Sequence, residues 1–90
     1  MFPELASWMT PVDRDILERL RNRGNRELVL SPALIAANTD WSHQTVREHV
    51  SDLRDHDLIK YHNRKRGVYC LSDRGRKYLE GEIDAGELEP

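Results

Sequence analysis

Ninety residues, 38% hydrophobic and 33% charged, suffice for one small domain with a modest core, and no run reaches the roughly 20 apolar residues that a membrane span needs. A net charge of −2 and a pI near 6.1 do not favour a nucleic-acid binder, a class that often carries basic domains. The single cysteine, Cys70, excludes an internal disulfide and fits a reducing compartment, and Met1-Phe2-Pro3-Glu4 lacks the layout of a signal peptide, so the cytoplasm is the expected address.

Thr10-Pro11-Val12-Asp13 is a helix start, with a threonine N-cap, proline at the first helical position and an acid placed to close a capping box. Val12, Ile16, Leu17 and Leu20 then share one face, and Gly24 can supply a left-handed residue to end the helix. Leu28-Val29-Leu30 is an apolar run of brief-strand length. Ser31-Pro32 repeats the cap-and-proline start for a short helix, Ala33 to Ala37, and Asn38-Thr39-Asp40-Trp41 is rich in turn formers. Trp41 is expected to pack into the core and fix the angle between the helices on either side.

Ser42 caps a third helix, anchored by Val46, Val50 and Leu53 at spacings of four and three. After Leu58-Ile59 the period changes. Lys60-Tyr61-His62-Asn63 and Val68-Tyr69-Cys70-Leu71 read as strands of a hairpin joined by Arg64-Lys65-Arg66-Gly67. Ser72-Asp73 starts a fourth helix through about Ile83, with Tyr78, Leu79 and Ile83 as its apolar positions. A short helix, a turn and a capped helix make a helix-turn-helix, and a basic hairpin directly behind it makes a wing. The expected fold is therefore α+β and mostly helical: a three-helix core, a basic hairpin wing and a C-terminal helix. The domain is expected over residues 10–80, with 1–9 as an N-terminal flank and 81–90 as an acidic tail.

Charge follows the same division. Residues 41–78 carry nine basic and five acidic side chains, whereas the tail beyond Tyr78 holds five acids and no base. The near-neutral total hides a basic half and an acidic end. Arginines outnumber lysines eleven to three, which with an acidic surface would suit a high-salt cell and is also what a GC-rich genome produces.

The stretch "LIAANTDWSHQTVREHVSDLRDHDLI" resembles the helix-turn-helix of MarR-type winged-helix regulators, and "GVYCLSDRGRKYL" resembles their second wing strand and following helix. From "WMTPVDRDILE" to "LSDRGRKYLEGEID" the chain is similar to the small haloarchaeal winged-helix proteins related to the phage phi-H repressor. The resemblance implies a winged-helix transcriptional regulator. Two positions depart from it: Asp57 stands where that family often has glycine, and Glu48 where many relatives have a base. Asp can enter the left-handed region, so the first change is tolerable.

With Val46, Val50 and Leu53 inward, the third helix turns Gln44, Glu48 and Asp55 outward, flanked by Thr45, Arg47 and Ser51. A recognition helix enters the major groove N-terminus first, which leaves Asp55 too far back to meet a base. Gln44 can bond adenine bidentately, Arg47 can take guanine or a phosphate, and Glu48 can accept from cytosine. Ser42, His43, Thr45 and Ser51 complete the DNA-facing set on this helix, Ser42 being explained already by its capping duty. Arg64, Lys65 and Arg66 at the wing tip suit insertion near the minor groove, with Lys60 and His62 as weaker candidates. The blander readings are a solvated helix face and a plain charged loop.

No catalytic residue, cofactor or metal is expected. The histidines at 43, 49, 56 and 62 miss the four-residue spacing that puts two ligands on one helical turn, and His49 suits a packed side chain. Cys70, between Tyr69 and Leu71, suits burial, which makes thiols inert. The acid pairs Asp13/Asp15 and Asp55/Asp57 belong to helix ends. The expected function is sequence-specific binding of double-stranded DNA by a transcriptional regulator, a repressor acting by promoter occupancy. A winged-helix protein–protein interaction module is the alternative. A homodimer is expected, with Phe2, Leu5, Trp8, Met9, Leu79 and Ile83 forming a shared core from the chain ends; the alternative is that Trp8 and Met9 fold back on their own helix.

Overall fold

The computed structural model describes residues 3–21 and 28–89. Helices α1 (Pro11–Leu20), α2 (Pro32–Ala37) and α3 (His43–Asp55) precede strands β1 (Ile59–Asn63) and β2 (Val68–Leu71), helix α4 (Asp73–Leu79) and a 3₁₀ turn, Ala85–Leu88. No helix among the described residues is long and apolar enough to cross a membrane.

Each of the four α-helices opens on the hydroxyl cap expected of it. Thr10, Ser31, Ser42 and Ser72 sit in extended backbone and accept from the first-turn amides of Val12, Leu34, Thr45 and Gly75. At α1 the capping box closes: Asp13 Oδ2 accepts from the Thr10 amide at 2.8 Å. This helix ends at Leu20, with Arg21 as its cap, and Gly24 lies outside the described residues. Leu30 forms a single antiparallel bridge with Tyr69, so the apolar run before α2 gives one rung of sheet.

The core is built from one face of each element. Ile16, Leu17 and Leu20 of α1, Ile35 of α2 and Val46, Val50 and Leu53 of α3 meet Leu58, Ile59 and Leu71 from the sheet and Tyr78 from α4. Trp41 packs partly against this cluster, and its Nε1 donates to Asp15 Oδ2 at 2.7 Å. The turn residue therefore ties the start of α3 to α1 from a half-buried position, a different partner from the α2–α3 angle expected of it. Cys70 is buried in β2. Asp57 takes φ +60 between α3 and β1, the left-handed backbone expected at that position.

Two expectations at the chain ends are corrected. The last helix stops at Leu79, not near Ile83, because the chain turns through Gly81 at φ +83, a left-handed residue that favours glycine. The acidic end is not a loose tail. It folds back through the 3₁₀ turn, seats Leu88 in the core at 2% exposure, and lets Trp8 Nε1 donate to the Leu88 carbonyl at 2.9 Å. The Ser7 amide and hydroxyl both donate to the Glu89 carboxylate.

The residues expected to form a shared dimer core are largely used by their own chain. Met9 and Leu79 are only 7% and 6% exposed, and Leu5, Trp8 and Ile83 pack against the same cluster. Tyr78 fixes the N-terminal flank by donating from its hydroxyl to the Glu4 carbonyl at 2.5 Å. The flank and the returning C-terminus cover each other in part, which leaves Leu5, Trp8 and Ile83 half-buried. Phe2 lies outside the described residues.

Candidate nucleic-acid interface

Thirteen residues make α3 about 20 Å long, a rod of the width that a DNA major groove admits. Its buried seam of Val46, Val50 and Leu53 leaves His43, Gln44, Arg47 and Glu48 exposed at the N-terminal end, with Thr45 and Ser51 half-buried beside them. Asp55 lies roughly 16 Å further along the axis from Gln44. Ser42 Oγ accepts from the Thr45 amide at 3.1 Å and donates to Thr45 Oγ1 at 2.9 Å, so the two hydroxyls hold each other in the first turn. The Gln44 amide nitrogen donates to Glu48 Oε1 at 3.3 Å, leaving the Gln44 carbonyl oxygen outside that bond. Gln44 and Glu48 are thus held together one helical turn apart.

The wing stands beside this face. Strands β1 and β2 pair antiparallel, with Tyr61 opposite Tyr69 and a register shift between Tyr61 and Asn63. The loop beyond is braced by the Arg66 amide donating to Asn63 Oδ1 at 3.1 Å. Arg64, Lys65 and Arg66 are all exposed. An open groove of about 350 Å³ runs between the elements, lined from α3 by His43 and Arg47, from the wing by Tyr61, Arg64 and Arg66, and from the start of α2 by Ser31. Two of the three wing bases therefore face the same concavity as Arg47 of α3. Lys65 does not line it. His62 lines an adjoining depression with Leu34, Val68 and Arg66.

Tyrosines supply the floor. The Tyr61 and Tyr69 rings stack with centroids 4.6 Å apart. Arg54, from the last turn of α3, donates to the Tyr61 hydroxyl at 2.7 Å, and Arg64 places its guanidinium carbon 5.4 Å from the Tyr61 ring centroid. Hydrogen bonding with the Tyr69 hydroxyl, with the Arg54 and Arg64 guanidiniums nearby, pulls the Tyr61 phenol below its ordinary range. Burial pushes the Tyr69 phenol upward. The sequence reading missed Tyr61 and Arg54. A regular hairpin over 60–71 would set Tyr61 opposite Cys70, and the register shift between Tyr61 and Asn63 that brings it opposite Tyr69 has no local sequence signal.

Behind the helix, His49 Nδ1 lies 3.0 Å from Asp13 Oδ1, and Asp13 is fully buried. His49 is thus a packed side chain with a carboxyl partner on α1. His56 stacks on Trp8 with ring centroids 3.6 Å apart, while His43 and His62 are exposed, so the four histidines occupy different settings. Among the described residues no cluster of three or more metal-ligating side chains occurs. The acid pairs have structural duties too: Asp13 caps α1, Asp15 holds Trp41, and Asp57 makes the turn into β1.

Residues 1–90 match the family model of the winged helix-turn-helix phage repressors. The chain is 33% identical over 86 residues to the repressor protein of Halobacterium phage phiH, covering 93% of each. It is also similar to the crystal structure of the PhiH1 repressor-like protein from Haloarcula marismortui, at 35% identity and a TM-score of 0.73. That match covers 97% of this chain and 93% of the other.

Proposed function

The chain belongs to the winged helix-turn-helix phage repressor family, and from that premise we propose that it binds double-stranded DNA sequence-specifically and represses transcription by occupying a promoter. The observation that carries this reading is the groove shared by α3 and the wing, with Arg47 on one wall and Arg64 and Arg66 on the other. The first turns of α3 enter the major groove. Gln44, Arg47 and Glu48 read base edges, while Ser42, His43, Thr45 and Ser51 make the supporting contacts. The wing lies along the adjacent backbone and minor groove, where its arginines and Lys65 meet phosphates.

Repression needs no chemistry here: a bound protein denies the promoter to the transcription machinery. The protein works in the cytoplasm as a homodimer, because one winged helix offers few phosphate contacts and a genome presents a large excess of nonspecific sites. Selection of binding sites from random duplexes tests the reading. A recurrent motif is the expected result. A folded sample that enriches no sequence and binds no duplex at low salt would move the protein to the protein–protein interaction class.

A further inference from the structure

We infer that Tyr61 is a positioning residue that places the wing arginine Arg64 on the DNA-facing groove, through a bridge running Arg54, Tyr61, Arg64 from α3 to the wing tip. The inference rests on the DNA-binding reading above and adds a role for a residue that itself need not touch a base.

Three contacts hold the Tyr61 ring. Tyr69 stacks on it at 4.6 Å, the Arg54 guanidinium bonds its hydroxyl at 2.7 Å, and the strand pairing sets Tyr61 opposite Tyr69. A ring fixed in this way is a rigid platform. Arg64, by contrast, is an exposed loop arginine with many rotamers, and ordering such a side chain on binding carries an entropy cost. Its guanidinium carbon lies 5.4 Å from the platform's centroid, within the range where the negative face of an aromatic ring attracts a cation. Arg64 also lines the groove that Arg47 lines from the helix side. The ring therefore narrows the positions of Arg64 to ones that face the same strip of DNA as α3. The Tyr61 phenol is lowered first by its hydrogen bond with Tyr69 and further by the Arg54 and Arg64 guanidiniums beside it.

The role separates the ring from the hydroxyl. Tyr61→Leu removes the platform. Tyr61→Phe keeps the ring and its stack on Tyr69 and loses only the hydroxyl's bonds to Arg54 and Tyr69.

Without DNA, the Arg64 side-chain protons are expected to show a ring-current shift in NMR spectra that survives in Tyr61→Phe and disappears in Tyr61→Leu. With the selected operator duplex, Tyr61→Leu and Arg64→Ala are each expected to weaken binding about five- to tenfold and to flatten the salt dependence by about one unit of slope. The double variant is expected to bind no worse than either single one. Tyr61→Phe should stay within about twofold of the parent. Circular dichroism and urea unfolding verify that each variant is folded. Additive losses in the double variant, or a Tyr61→Phe loss as large as that of Tyr61→Leu, would overturn the role. Arg64 protons unmoved by Tyr61→Leu would overturn it without any DNA present. If the parent binds no duplex, the DNA-binding reading falls and takes the role with it, and the NMR shift then reports separately whether the ring contact exists.

Discussion

Asp13 uses both carboxyl oxygens to join two helices. Oδ2 accepts from the Thr10 amide and hydroxyl at the start of α1, and Oδ1 meets His49 in the middle of α3. Half of that role is legible in the sequence, because a capping box is a matter of three-residue spacing. The other half spans 36 residues and depends on how α1 packs against α3, which no local pattern encodes. Asp13→Ala removes the box and leaves half-buried donors at Thr10 and His49 without their acceptor, so a stability loss of about 2–4 kcal/mol is expected in urea unfolding. Asp13→Asn should cost less, since an amide can still accept at one side and donate at the other. On the exposed face of the same helix the expected effect is on DNA binding, not folding. Gln44→Ala, which also releases Glu48 from its partner, should cost about 1–3 kcal/mol in operator affinity and relax preference at one base pair. Equal losses on operator and random duplex would show that Gln44 does not read a base.

Elements set by their own ends were the ones the sequence made plain. The caps at Thr10, Ser31, Ser42 and Ser72 and the strand-loop-strand pattern at 60–71 are local signals, and all of them form. The last helix was harder because its contacts are distant. A Cβ built on Gly75 would stand 2.0 Å from the Leu58 carbonyl oxygen, so α4 can lie against the entry to β1 only with glycine there. Gly75→Ala is therefore expected to lose about 3 kcal/mol or more, read as a lower urea midpoint with an unchanged slope. The return of the C-terminus was illegible for the same reason: Ser7 and Glu89 stand 82 residues apart. The bonds from Ser7 hold the Glu89 carboxyl below its ordinary range, so the contact is present above the unfolded carboxylate range and is lost as pH falls through the lowered value. Acidification should thus release Glu89 from Ser7, next to Trp8, while Leu88 stays in the core. A change in Trp8 fluorescence, measured with Trp41 replaced by phenylalanine, should appear on acidification, and Glu89→Gln should remove that step. A step that persists in Glu89→Gln would assign it to another titratable group near Trp8, such as His56 stacked on it.

At the scale of the molecule the charges divide along α3. The acidic C-terminal segment meets Trp8, which stacks on His56 just past the end of α3, whereas the basic groove lies beside the helix N-terminus. This separation is why a net charge of −2 is compatible with an interface of arginines. It also bears on the proposed dimer, for which Met9 and Leu79 offer no free apolar surface, being buried in a single chain. What remains is the arithmetic of discrimination: two copies double the phosphate contacts and fit a palindrome with half-sites roughly 10 base pairs apart or a multiple of that. With about six phosphate contacts for a pair, the log of the operator affinity should fall against log salt with a slope near −5, and a single copy should give about half of that. Light scattering of the complex reads the stoichiometry directly. Two 10.5 kDa chains per operator duplex are expected, and one chain per duplex with the shallower slope would sink the dimer. Because Leu79 lies in the core, Leu79→Ala would unfold the chain before it tested any interface. Trp8→Ala, at a half-buried position, is the more telling change. A pairing surface on the chain ends would lose its dimer while α3 and the wing stay folded, whereas a surface elsewhere would leave the two-chain complex intact.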